Sequence, residues 1–197
     1  MLFRSEKELN SPVFGTALIL SVGGTYVDQG KFDLGITQME KALTLYRSRG
    51  ETSGESTTLV LLSEAWRQKG ALDKALFYAK SVNIPNKRDD PLRASVARRI
   101  LGTIYIEQKN YEEALRVLRE AVEIQDKLQN PMWKADTLKM ISGIYLKQGD
   151  FRKGIDYLKM VREIYKKEGA TAAALRIDRE IFWLSFYGGL TQTRKER

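Results

Sequence analysis

Apolar residues return along this chain every three or four positions. Tyr111, Ala114, Leu118 and Ala121 fall on one face of a helix that turns once in about 3.6 residues. Ala174, Ile177, Ile181 and Leu184 make another such stripe. No stretch alternates with the two-residue period of a strand. The pattern predicts helices over residues 12–28, 32–48, 53–68, 72–83, 91–108, 111–127, 131–147 and 151–167, with a closing helix over 170–187. The breaks carry helix-end chemistry. Pro91 follows Asp89-Asp90, Pro131 follows Asn130 and Pro12 follows Ser11, each proline suiting the first helical position behind a capping side chain. Thr52 with Glu55 reads as a capping box, and Asn110 and Asp150 can cap the helices after them. Gly50 and Gly169 stand where a left-handed residue ends a helix. The irregular connector 83–90 carries Lys87 and Arg88 as a basic surface feature.

The helices come in pairs that repeat. Tyr26, Trp66, Tyr105 and Tyr145 recur at intervals of about 40 residues. Four positions after each stand Gly30, Gly70, Lys109 and Gly149, and two further on Phe32, Leu72, Tyr111 and Phe151. Small residues follow at Gly35, Ala75, Ala114 and Gly154, then Ala42, Val82, Ala121 and Val161. With Gly102 and Ser142 as small residues of the first helices, this pattern of large and small positions resembles the tetratricopeptide repeat. The period exceeds the usual ~34 residues. In that it is similar to the extended repeats of kinesin light chains, spindle-orientation adaptors and Rap-type regulators. The resemblance implies an all-α fold, a right-handed α-α superhelix of four helical hairpins with a C-terminal capping helix. It implies a single domain over 1–197, with repeats at about 12–50, 52–90, 91–129 and 131–168, a closing helix at 170–187 and a tail at 188–197.

The same resemblance implies a protein- or peptide-binding scaffold or adaptor whose first helices line a concave groove. By register the groove candidates are Leu20 with Ala17, Ser21 and Gly24, then Val60, Leu61, Glu64, Arg67 and Gln68. The third block offers Arg99, Ile100, Thr103, Ile106 and Glu107, and the fourth Lys139, Met140, Gly143, Leu146 and Lys147. Relatives that clamp a carboxylate terminus need lysine and asparagine where this chain has Leu20, Gly24, Val60 and Glu64, so that clamp is not expected. Arg99 and Lys139 hold equivalent places and suit an acidic side chain of the partner. Phe182, Trp183, Phe186 and Tyr187 spread over the other faces of the closing helix. They either fold back on the hairpins or form an association patch, through which two copies could pair as a homodimer.

Composition narrows the chemistry. The 197 residues contain neither cysteine nor histidine. Thiolate nucleophiles, cysteine metal sites, and the commonest general base are therefore missing. No Gly-rich phosphate loop follows a strand. The expectation is no catalytic residue, no cofactor and no metal site: not an enzyme. The lack of cysteine also fits a reducing, cytoplasmic setting. The apolar stretch from Pro12 to Gly24 follows Arg4 and Lys7, but Glu6 and Glu8 break the basic leader, and the stretch is too short to cross a bilayer. A net charge of +8 keeps an RNA- or DNA-associated helical repeat as the alternative. Acids interleave with the bases, as at Glu112, Glu113, Arg116, Arg119, Glu120 and Glu123, which is the pattern of a solvated helix.

Overall fold

In a computed structural model of the 197-residue chain, residues 12–82 and 91–195 are described, with side chains at 15–82 and 91–186. The caps at Ser11 and Asp89-Asp90, the connector with Lys87 and Arg88, and the side chain of Tyr187 lie outside the described residues. Among the described residues every regular element is an α-helix: α1 (Pro12–Asp28), α2 (Phe32–Ser48), α3 (Thr52–Gln68), α4 (Leu72–Ser81), α5 (Pro91–Glu107), α6 (Tyr111–Lys127), α7 (Pro131–Lys147), α8 (Phe151–Lys167) and α9 (Thr171–Lys195). They form two compact units, one holding α1–α5 up to Gln108 and one holding α6–α9 from Lys109.

Within each unit, three-residue turns fold successive helices back on one another. Gly30, Gly70 and Gly149 take left-handed φ angles of 75°, 86° and 80°. The amide after each donates to the carbonyl of the aromatic five residues earlier: Lys31 to Tyr26, Ala71 to Trp66, Asp150 to Tyr145. In the third block the same place falls to Lys109 at φ 59°, and the end of α6 is turned by Gln129 at φ 51°. A side chain there crowds its own backbone, costing more than the entropy that glycine loses on folding. Lys109→Gly and Gln129→Gly should each stabilise the protein by about 0.5–1 kcal/mol. The urea midpoint should rise with the slope unchanged.

The helix starts are capped unequally. Asn110, Asn130 and Asp150 accept backbone N–H bonds from Glu113, Trp133 and Lys153 at 3.4, 3.1 and 3.0 Å. The Thr52 capping box does not form. Glu51 occupies the cap position without a side-chain bond, and Arg47 of α2 draws the Glu55 carboxylate away at 2.8 Å.

The small columns lie where the helices touch. Gly35, Ala75, Ala114 and Gly154 are all buried, as are Gly23, Ser63, Gly102 and Ser142 opposite them. The serines add a bond that glycine cannot. Ser63 Oγ donates to the Ala75 carbonyl at 2.9 Å, and Ser142 Oγ to the Gly154 carbonyl at 2.8 Å. In the first unit Leu20, Val27, Ile36, Met39, Leu43, Tyr46, Leu59 and Leu62 gather into one core, joined by Val82 and Ala97. Ala75, Ala79 and Ile104 make a smaller one beside Trp66. In the second unit Leu118, Leu138, Ile141, Ile144, Leu158 and Val161 are the fully enclosed aliphatics.

The aromatic column is only partly submerged. Tyr105 and Tyr145 are buried, whereas Tyr26 and Trp66 are half-buried and lie under lysines. Lys74 Nζ stands 4.1 Å from the Trp66 ring, and Lys153, the equivalent residue two blocks on, 5.4 Å from Tyr145. The closing helix differs from the sequence expectation: it continues through Gly188 and Gly189 to Lys195, with no proline there to break the backbone ladder.

Candidate functional site

The first helices bury one flank and leave another stripe open. In α3 the residues Ser56, Leu59, Leu62, Ser63 and Ala65 are enclosed, while Val60, Leu61, Glu64 and Arg67 are half-exposed and Gln68 is exposed. In α5, Ala94, Ala97, Ile104 and Tyr105 turn inward, and Arg99, Ile100, Thr103 and Ile106 remain half-exposed. These are the residues that the repeat register marks for the groove, with one correction. Leu20 of α1 is only 9% exposed and packs into the core, so the open stripe of α1 runs instead through Ala17, Ser21 and Gly24. The physical reason is a helical-wheel offset: Leu20 lies between the open stripe and the flank that meets α2.

Two polar links tie α3 to α5 along this stripe, each joining residues 40 apart in sequence. Near the helix starts Arg93 Nη2 donates to Ser53 Oγ at 2.6 Å. Near the helix ends the Arg67 guanidinium grips both Glu64 oxygens, at 2.9 and 2.6 Å, and donates to Glu107 at 2.5 Å. Gln68 adds a bond to Glu64 at 2.9 Å. Equal offsets at both links make α3 and α5 parallel neighbours. Of the sequence candidates, Glu64 and Arg67 are thus committed to one another. The bond from Arg67 holds the Glu64 carboxyl below its ordinary range, against a smaller opposing effect of burial. Glu64 and Glu107 in turn push Arg67 above its ordinary value. A carboxylate lowered in the folded state stabilises it above the unfolded value of about 4.3 and loses that contribution as pH falls through the folded one. Wild type should therefore exceed Glu64→Gln in urea midpoint at about pH 7, and the gap should close near pH 3. The group is partly exposed, so the gap should be under about 1 kcal/mol.

Arg99 is placed differently. It stands in α5 at the level of Val60, between the two links. Its Nε is enclosed without a hydrogen-bond partner, and among the described residues no carboxylate pairs with its guanidinium. A guanidinium in that position has donors to offer to something else. In the second unit α7 presents a comparable stripe: Lys139 and Lys147 are exposed without an ion pair among the described residues, and Met140, Gly143 and Leu146 are half-exposed between them. The lysine nearer the start of α7, Lys134, is held by Asp126 at 2.5 Å. Sequence reasoning missed the Ser53–Arg93 link, because neither residue type announces an interhelical bond. The recurrence of a polar pair one repeat apart is the signal that could have found it.

Further charge pairs lie within the second unit. On α6, Arg116 lies between Glu113 and Glu120 at 2.7 Å each, on a face that also carries Glu112, Arg119 and Glu123. Arg119 donates to the Tyr145 hydroxyl at 2.8 Å, and Tyr145 stacks on Tyr157 at 5.6 Å. Among the described residues no group of three or more metal-ligating side chains converges, and no helix is long and apolar enough to cross a membrane.

Residues 92–167 match the family described as tetratricopeptide repeat. No curated protein matches the sequence. Among solved structures the chain resembles BtubC from P. vanneervenii, with a TM-score of 0.71 and 19% identity over 85% of this chain and 68% of that one. It resembles the apo form of RapI at 0.72 and 18% identity, covering 82% of this chain but only 45% of RapI. A putative kinesin light chain of Podosopora anserina with nearly identical TPR-like repeats aligns at 0.66 and 16% identity, over 95% of this chain and 99% of that one. Likenesses at this identity show the fold, an all-α helical-repeat superhelix.

Proposed function

We propose that this chain, whose residues 92–167 match the tetratricopeptide repeat family, is a scaffold or adaptor holding a peptide segment of another protein along the open stripes of its first helices. The observation that carries this reading is Arg99, a half-buried guanidinium with no carboxylate partner among the described residues, beside a salt-bridge network that engages Arg67 and Glu64. A charge left uncompensated at a half-buried site costs free energy unless a ligand supplies the counter-charge. The aliphatic groups of Val60, Ile106 and Leu146 give the same stripes apolar surface, so the peptide combines acidic and apolar side chains. Lys139 and Lys147 play the corresponding part in the second unit. The role is binding without chemistry, and the reading places it in the cytoplasm on the absence of cysteine.

The test uses labelled peptides that differ only in acidic content, titrated against wild type, Arg99→Glu, Lys139→Glu and the double variant. Acidic peptides should bind better than neutral ones, and each reversal should weaken them by about tenfold or more. Equal affinity for the double variant would sink the reading. Displacement of the peptide by arbitrary oligonucleotides, with steep loss of binding as salt rises, would favour the nucleic-acid alternative instead.

A further inference from the structure

The closing helix α9 begins in the register of α7. Gly169 turns the chain in the left-handed region as Gln129 does, and the Ala170 amide donates to the Tyr165 carbonyl as that of Asn130 does to Gln125. Thr171 thus stands one repeat after Pro131, and each position of α9 has a counterpart 40 residues earlier. Ile177, Ile181 and Leu184 face α8 as Thr137, Ile141 and Ile144 face α6. The other flank of α7 meets its own second helix, α8, through Ala135, Leu138, Ser142 and Tyr145. Its counterparts on α9 are Leu175, Asp178, Phe182 and Ser185.

Those counterparts defeat the repeat's own packing. Close approach of a second helix needs a small residue where Gly23, Ser63, Gly102 and Ser142 stand, and α9 has Phe182 there. Where α7 offers the buried Leu138, α9 offers Asp178, which Arg162 of α8 already holds at 3.1 Å. Yet this flank is the most apolar exposed surface among the described residues: Leu175 is 58% exposed, Phe182 65%, Trp183 55% and Phe186 57%. Phe182, Trp183 and Phe186 each remain more than half exposed. Phe182 and Trp183 meet edge to face at 5.6 Å and stand outward together.

We propose that this ridge is a self-association surface on which the α9 helices of two copies of this chain cross antiparallel, centred on Phe182 and Trp183. Three rings and a leucine at these exposures offer roughly 450 Å² of apolar surface. Two such faces together bury about 900–1,000 Å², the size of a weak, reversible association. Bulky knobs that exclude a close-packed hairpin helix suit two helices about 10 Å apart. The charges choose the direction. A parallel pair stacks Arg176 and Arg179 on themselves. The antiparallel crossing sets each Arg179 against Phe186 of the second copy and keeps the two Arg179 side chains about 10 Å apart along the axis. The inference rests on α9 and its packing against α8, so it goes beyond the peptide-binding reading and does not depend on it.

Sedimentation of the full chain over a concentration series, from about 1 to 200 μM, should show mass rising from 22.5 kDa towards twice that value. Phe182→Glu with Trp183→Glu should hold the chain at 22.5 kDa throughout, with its helical circular dichroism kept. Wild type that stays monomeric, or a double variant that pairs equally well, overturns the proposal. Leu175→Glu, on the same ridge, gives the same reading should the double variant misfold. The chain has no native cysteine, which makes cross-linking decisive for direction. Phe182→Cys should oxidise to a disulfide dimer. Leu175→Cys should not, because antiparallel helices hold two such residues about 22 Å apart along the axis. Cross-linking at Leu175→Cys in preference to Phe182→Cys overturns the antiparallel arrangement.

Discussion

Gly35→Ala should cost the first hairpin about 1–3 kcal/mol, although alanine is the better helix former by about 1 kcal/mol. A Cβ at Gly35 would sit 2.6 Å from Val27 Cγ2 and 2.7 Å from the Gly23 carbonyl oxygen. The side chain of Val27 can turn away, but a backbone oxygen in the middle of α1 moves only with its helix. The two helices must separate, and the core residues Met39, Ile36 and Val27 then lose contact. The neighbouring repeats show that alanine itself is not the obstacle: Ala75 and Ala114 occupy the same column and are fully enclosed. Gly24→Ala and Gly143→Ala supply the control. No atom lies within 4 Å of a Cβ at either, so each should stabilise by about 0.5–1 kcal/mol. Urea unfolding checks all three, and hydrogen exchange should place the Gly35→Ala loss in α1–α3 rather than in α6–α9. A neutral Gly35→Ala would show that α1 and α2 have room to spare.

Leu62→Ala should be as damaging, at about 3 kcal/mol, while Val22→Ala one repeat earlier should change stability by less than about 0.5 kcal/mol. The two residues occupy the same column, four positions before the aromatics Trp66 and Tyr26. Leu62 is 0% exposed, and Val22 is 40% exposed. The flank of a first helix that carries this column packs on the preceding second helix: α3 has α2 there, and Val22 on α1 remains open. Deleting methyl groups from Leu62 leaves a cavity, whereas deleting them from Val22 removes surface that water already touches. Equal losses at both positions would mean that the first helix is covered as fully as the others.

The peptide-binding reading and the self-association surface draw on the same contrast between satisfied and unsatisfied groups. Arg67 looks as suitable an anchor as Arg99 when both are letters in a groove column. Only the fold shows Arg67 consumed by Glu64 and Glu107 while no acid among the described residues pairs with Arg99. Leu20 looks as accessible as Val60, and only packing reveals it as core.

What the residues determined unaided is the periodic part. Apolar spacing, left-handed turn positions and recurring small residues are local or strictly repeated constraints. They place α1, α2, α6, α7 and α8 where the structure has them. The caps at Asn110, Asn130 and Asp150 followed from the same local chemistry. What tertiary structure decided is whatever depends on residues far apart in sequence. Arg47 takes Glu55 and so undoes a capping box that Thr52 and Glu55 could make alone. Ser63 and Ser142, which the sequence marks merely as small, become hydrogen-bond donors between helices. On α9 an aromatic cluster that could have folded inward stands outward, because Ile177, Ile181 and Leu184 already fill the single flank that α8 offers. A repeat writes its spacing into every copy, but which flank finds a neighbour depends on where in the series a helix stands, and no single copy encodes that.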